Sequence, residues 1–269
     1  MIPLRDNQPT SRFPIVTVIV IAINVVVFLA QQRLPLETSF AMVPYEITHG
    51  TDLSNVVAHL TRTGAWPLYQ LPPGGSGLRL GSSEIFYGPS PHPLWLTIFT
   101  SMFLHSGWLH IGSNMLVLWV FGNNIEDVLG KVRFLLFYFA CGLVAALTQI
   151  ATDANSIIPT VGASGAIAGV MGAYLILYPH ARVLSIVPLL GLGLLMEVRA
   201  FWVLLFWIVL NIFQGVSGFG VQQGGVAHFA HIGGFFAGLG LILLLGGPRL
   251  VARQKQRSEF YYPPPSGHY

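Results

Sequence analysis

The sequence predicts an all-α polytopic membrane protein, a bundle of six transmembrane helices with a long outer loop between the first and second spans. Three observations carry this. Of 269 residues, 53% are hydrophobic and only 9% are charged, against about 25% charged in soluble domains. The apolar residues gather into runs approaching the ~20 residues that a helix needs to cross a hydrocarbon core. The 13 Lys and Arg fall unevenly on the two sides of those runs. This composition excludes a disordered chain, a collagen-like chain and an ordinary cytosolic enzyme. The basic residues form no stripe, so nucleic acid is not an expected partner. The one cysteine, Cys141, lies inside an apolar run, which leaves no intramolecular disulfide framework and no cysteine-based zinc site.

The first span is Pro14 to Ala30. Basic residues precede it, as they would a cleaved signal peptide. Its apolar run is long for one, however, and Phe28-Leu29-Ala30 offers no small residue at the −3 position, so an uncleaved anchor is expected. The second span runs from about Gly107 to Asn124, the third from Phe134 to Ile150 and the fourth from about Ala163 to Tyr178. The fifth starts at Ala200 and reaches at least Phe213, and the sixth is Val226 to Leu245. Leu184 to Met196 is apolar but short and contains Pro188, Gly191 and Gly193. An interfacial or re-entrant connection is expected there.

Loop charges set the orientation. With the N-terminus inside, Arg5, Arg12, Lys131, Arg133, Arg182, Arg199, Arg249, Arg253, Lys255 and Arg257 are internal. Only Arg33, Arg62 and Arg79 are outside. A seven-span chain would turn the basic tail outward, so six spans with both ends inside is the better arrangement. Residues 1–13 are then a cytoplasmic N-terminal segment, 14–246 the six-span domain, and 247–269 a basic, Pro-rich cytoplasmic tail expected to be disordered. The outer loop, 31–106, is far longer than ordinary connections. Its apolar stretch Leu94 to Leu104 is expected to lie on, or dip into, the outer leaflet.

Polar groups inside a span are costly and become functional candidates. No Asp or Glu lies in the middle of any span, which argues against a carboxylate-lined ion path. The spans do hold His110 and Asn114 in the second, Ser164 in the fourth, Asn211 in the fifth and His231 in the sixth. The second, fourth and sixth spans run in the same direction, so His110, Ser164 and His231 differ in depth by only ~3–8 Å. His110 and Asn114, at i and i+4, share a helix face. Gly165/Gly169 and Gly234/Gly238 are small-residue pairs one turn apart, which let helix backbones approach closely. A hydroxyl, two imidazoles and an amide in one layer could supply a nucleophile, a base and oxyanion donors. Taken singly, each has a plainer reading. A serine among Gly and Ala is usually a packing residue, and a membrane His or Asn usually makes a helix–helix hydrogen bond. Asn211 is read in that way.

Three motifs then resemble the rhomboid family of intramembrane serine proteases. They are His105 to Gly130 (HSGWLHIGSNMLVLWVFGNNIEDVLG), Gly162 to Gly172 (GASGAIAGVMG) and Ala230 to Gly238 (AHIGGFFAG). Met42-Val43-Pro44 and Phe99-Thr100-Ser101 add to the likeness. The resemblance implies a six-span rhomboid-like bundle with Ser164 as nucleophile and His231 as general base. His110, Asn114 and the Ser164 backbone N–H would stabilise the oxyanion, and His105 would be structural. Gln214 to Gly225 would match the mobile cap over the site. Family members often carry an aromatic residue four after the serine, stacked on the imidazole. Here that residue is Ala168, and Phe235 or Phe236 is a candidate to take its place. A catalytically dead relative would be expected to lack Ser164 or His231.

The implied function is hydrolysis of transmembrane segments of membrane proteins, single-pass ones above all, near the outer face of the bilayer. No metal or cofactor is expected. The implied location is the bacterial plasma membrane. Two other classes remain: a metal or haem protein ligated by His105, His110, His228 and His231, which leaves Gly-Ala-Ser-Gly unexplained, and a non-catalytic rhomboid-like adaptor.

Overall fold

Each of the six apolar runs folds as a helix, the conformation that satisfies its own backbone groups where water is excluded. The computed structural model describes residues 1–54, 77–80, 83–86, 88–189, 192–218 and 226–252. In chain order, strand β1 (Ile2–Asp6) precedes helix α1 (Ile15–Gln31), then short helices α2 (Leu36–Phe40) and α3 (Pro44–His49). Strands β2 (Gly77–Leu80) and β3 (Ser83–Phe86) pair antiparallel. A run of helical turns follows, Leu94–Leu96, α4 (Thr97–Thr100) and Ser101–Phe103. The main helices are α5 (Trp108–Leu129), α6 (Lys131–Thr152), α7 (Ser164–Leu177), α8 (Ala200–Ser217) and α9 (His228–Leu244). Strands β4 (Arg182–Leu189) and β5 (Leu192–Arg199) lie between α7 and α8. Helices α6 and α8 have the length and hydropathy to cross a membrane, and α1, α7 and α9 are shorter apolar helices.

Two expectations change. The segment Leu184 to Met196 departs from the all-α expectation: β4 and β5 form an antiparallel hairpin, and β1 pairs with β4 to give a sheet of order β1-β4-β5. Pro188 removes a helical donor and Gly193 weakens a helix, while the Leu, Ile and Val around them suit an extended chain. The fold is therefore mainly helical rather than all-α. The tail also begins in order, since 247–252 are helical. Its remainder, 253–269, and residues 55–76 of the long loop lie outside the described residues.

The sheet marks one end of the bundle and is stitched to it by acids. Asp6 accepts hydrogen bonds from Tyr174 Oη on α7 and from Asn124 Nδ2 on α5, the latter at 2.8 Å. Burial pushes the Asp6 carboxyl above its usual range, with those hydrogen bonds acting in the opposite sense. Helix α1 starts after Pro14 with no side-chain cap. The buried Glu126 of α5 replaces one, accepting from the Val16 and Thr17 N–H groups at 2.9 and 2.8 Å and from Thr17 Oγ1 at 2.8 Å. Asp127 beside it accepts from Ser11 N and Oγ, both at 2.8 Å. Gly130, at φ +76°, alone turns the chain from α5 into α6.

The core sits around α7, in which every residue from Gly165 to Tyr174 is buried. Its small-residue stripe faces that of α9, Gly165 and Gly169 against Gly234 and Gly238. At 14 residues, α7 is only about 21 Å long. Gly165 lies against Ala145, seven residues before the end of α6. The first residue of α7 is thus set back about 10 Å from that end.

Candidate active site

The site lies at the end of the bundle opposite the sheet, where α7 begins. The loop leading into α7 is held from both sides by the long segment that follows α1. Met42 and Thr160 exchange backbone hydrogen bonds of 3.1 and 2.8 Å, Tyr45 N donates to Ser156 O at 3.0 Å, and Gly162 N donates to Ser101 O at 2.9 Å. Two segments that carried part of the sequence resemblance, Met42-Val43-Pro44 and Phe99-Thr100-Ser101, therefore clamp the approach to Ser164.

Ser164 is the first residue of α7, after Ala163, which has no capping side chain. Its N–H belongs to the opening turn, whose donors have no partner within the helix. Ser164 Oγ lies 2.8 Å from Nε2 of His231, which is one turn into α9 and only 8% exposed. The glycine contact between α7 and α9 allows this: the two side chains meet because the two backbones nearly touch. His231 Nδ1 lies 2.7 Å from Oδ1 of Asn211 on α8. His228 Nδ1 reaches the same oxygen at 3.1 Å.

His110 approaches from α5. Its Nδ1 accepts from Ser106 N at 3.3 Å and lies 3.0 Å from Ser106 Oγ. An accepting Nδ1 places the proton of a neutral imidazole on Nε2. That edge lies against Gly162, where an added Cβ would fall 2.9 Å from His110 Nε2 and 3.6 Å from Ser164 Oγ. Gly162 has φ +125°, a backbone that L side chains rarely adopt. Only glycine suits this position, on both counts. Asn114, one turn further along α5, is buried, and its Nδ2 has no hydrogen-bond partner among the described residues.

The structure thus joins Ser164 to His231 and sets His110 beside them, with Asn114 on the same helix. His105 is buried at 1% exposure, edge-on to the His110 ring at 5.1 Å between centroids, and its backbone N–H donates to Gln31 Oε1. Its two ring nitrogens are buried and have no hydrogen-bond partner among the described residues. Neither Phe235 nor Phe236 packs its ring on His231. Trp207 of α8 does, at 5.4 Å between centroids with the planes tilted by 39°. Phe235 packs behind Trp207, and Phe236 is exposed. Sequence reasoning missed Trp207 altogether and gave Asn211 no part in the site. Their spacing at i and i+4, facing the histidine span, was the available signal. Gln214 to Ser217 form the last turn of α8, and residues 219–225 of the expected cap lie outside the described residues.

The bundle includes two helices, α6 and α8, that are long and apolar enough to cross a membrane. Residues 92–248 match the Rhomboid domain; this is more than half of the chain, and the protein belongs to the rhomboid family. Among its relatives, "Rhomboid protein 1, mitochondrial" of Saccharomyces cerevisiae is 30% identical over 169 residues, 60% of this chain and 44% of that protein. "Rhomboid protease GluP" of Bacillus subtilis is 32% identical over 162 residues, 60% of this chain and 28% of that protein. "Putative rhomboid protease YdcA" of the same organism is 37% identical over 81 residues, 30% of this chain and 40% of that protein. The matched regions span less than half the length of each of these relatives. Relatives bear mitochondrial and chloroplastic names as well as bacterial ones. Membrane integration is therefore common to the family, while the particular membrane is not.

Proposed function

We propose that this chain is an intramembrane serine endopeptidase that hydrolyses peptide bonds in transmembrane segments of other membrane proteins, single-pass ones above all. The observation that carries the reading is the 2.8 Å contact between Ser164 Oγ and His231 Nε2, at the start of a short central helix set back from the end of its neighbour. His231 takes the serine proton as Oγ attacks the carbonyl carbon, then returns it to the leaving amine. Water repeats the sequence to release the acyl group. The oxyanion is met by the Ser164 N–H at the opening turn of α7, by His110 Nε2–H and by Asn114 Nδ2. A buried donor without a partner is costly, and Asn114 Nδ2 becomes satisfied when charge develops on the carbonyl oxygen. No carboxylate is needed beside the dyad, where it would be expensive to bury. A substrate helix must unwind locally to present its carbonyl, so helix-breaking residues favour cleavage.

In this reading the chain crosses the bilayer six times between residues 14 and 246. The sheet and both termini are cytoplasmic, and the site opens toward the outer face of a bacterial plasma membrane. The alternative of a histidine-ligated metal or haem loses support from the hydrogen bonds of His231, because both ring nitrogens are already engaged. The adaptor alternative leaves the Ser164–His231 contact without a purpose. The test is fluorophosphonate labelling of the purified protein, together with cleavage of a model transmembrane substrate. Labelling at Ser164, lost with cleavage in a folded Ser164→Ala variant, is the expected result. Cleavage by Ser164→Ala above a few per cent of wild type, or inhibition by a chelator reversed by zinc, would overturn the reading.

A further inference from the structure

We propose that Asn211 is a positioning residue of the site, the group that fixes the proton of His231 on the nitrogen that makes it a base. The inference rests on the reading of Ser164 and His231 as a catalytic pair, and adds a third member from a different helix.

The orientation of the Asn211 carboxamide follows from its own helix. Nδ2 donates to the carbonyl of Trp207, one turn back on α8, at 2.9 Å. Oδ1 is then the atom facing His231 Nδ1 at 2.7 Å and His228 Nδ1 at 3.1 Å. A carboxamide oxygen only accepts, so a neutral His231 must carry its proton on Nδ1. The lone pair then sits on Nε2, which faces Ser164 Oγ at 2.8 Å and can receive the hydroxyl proton. In the opposite tautomer two lone pairs would oppose each other across 2.7 Å, and Nε2–H would donate to Ser164 Oγ and could not take its proton. The opposing geometry at His110, whose Nδ1 accepts from Ser106 N, leaves that ring a donor. Two imidazoles at one site are therefore held in opposite tautomers, one as base and one as oxyanion donor.

The bond also serves the next step. When the proton moves from Ser164 Oγ to His231 Nε2, the imidazolium gains a positive charge in a setting where Asn211 is 5% and His231 8% exposed. The Oδ1 end of the amide dipole already points at it. Trp207, tilted on the ring at 5.4 Å, restricts rotation out of this alignment. A neutral amide thus does in the membrane what an acid does in a soluble triad, without burying a second charge.

The experiment compares wild type with Asn211→Ala and Asn211→Asp in proteoliposomes. It reads kcat and KM on a model transmembrane substrate, the rate of fluorophosphonate acylation and the unfolding temperature, with the ¹⁵N spectrum of labelled histidine for the wild type. The expected result is a kcat and an acylation rate about 10–100-fold lower in Asn211→Ala, below the ~10⁴ seen when a wrong tautomer is enforced. KM should stay within about twofold. Asn211→Asp, which keeps an acceptor toward Nδ1, should recover at least part of the rate, and the wild-type spectrum should show His231 protonated on Nδ1. Wild-type kcat in Asn211→Ala, a proton on Nε2, or equal losses of rate and unfolding temperature in both variants would each overturn the proposal. Wild-type labelling that vanishes in Ser164→Ala shows independently that the dyad stands. If Ser164→Ala still cleaves, it is the dyad reading that fails.

Discussion

Gly234 of α9 packs against the carbonyl of Gly165 of α7 so closely that a Cβ at Gly234 would fall 2.0 Å from that oxygen. The obstacle is backbone, which cannot swing aside as the end of a flexible side chain can. Gly234→Ala must therefore push α9 away from α7, and with it His231 away from Ser164. The expected outcome is loss of fluorophosphonate labelling together with a lower unfolding temperature, at a cost above the 1–3 kcal/mol typical of overpacking. Gly240, on the same helix, has nothing within 4 Å of its would-be Cβ. Gly240→Ala should label normally. Equal behaviour of the two variants would show that helix contact does not set the distance between serine and histidine.

Gly162 offers a way to disturb His110 without replacing it. A Cβ there meets the His110 ring at 2.9 Å on a backbone at φ +125°. Gly162→Ala should displace the ring and reproduce the His110→Ala defect. Losing one oxyanion donor costs roughly 10²–10³ in rate. The proposed donors are three, so His110→Ala and Asn114→Ala should fall at the lower end or below it. Single-turnover cleavage by the three variants checks this, and wild-type rates for both His110→Ala and Asn114→Ala would remove those residues from the oxyanion site.

Glu126 should matter to stability and not to chemistry. It accepts three hydrogen bonds from the opening turn of α1, far from Ser164. Glu126→Ala strands two backbone donors and a hydroxyl, an expected cost of about 2–4 kcal/mol. Thr17→Val removes one bond and should cost about 1 kcal/mol. Denaturation in detergent would check the order, and the labelling rate of folded protein should be unchanged in both.

The helices were legible in the sequence because each is a continuous apolar run, and Ser164 and His231 because each sits in a local motif of glycines. What was not legible lies between segments. The strand β1 finds its partner β4 about 180 residues along the chain, and no local pattern announces that pairing. Leu184 to Met196 was too short for its periodicity to separate helix from strand. From its span alone Asn211 reads as a structural hydrogen bond, and it does make one across helices. That its partner is the His231 imidazole depends on how α8 is rotated against α9, which no single segment encodes. The same rotation puts Trp207 on His231, whereas the sequence pointed to Phe235 and Phe236, on the histidine's own helix.

Two histidines three residues apart now have distinct places. His231 uses both ring nitrogens, on Ser164 and on Asn211, at 2.8 and 2.7 Å. Among the described residues His228, in the first turn of α9 and half-buried, reaches only the shared Asn211 oxygen, at 3.1 Å. The rings are 6.3 Å apart between centroids and nearly perpendicular, so His228 cannot replace its neighbour without moving the helix. His231→Ala should lose both cleavage and labelling of Ser164, because the serine loses its base. His228→Ala removes the weaker of the two bonds to Asn211 Oδ1 and leaves the stronger, and should keep at least a tenth of wild-type activity. Measuring both variants on one transmembrane substrate, in detergent and in proteoliposomes, decides between them. An inactive His228→Ala beside an active His231→Ala would reverse the assignment and make the Ser164–His231 contact structural.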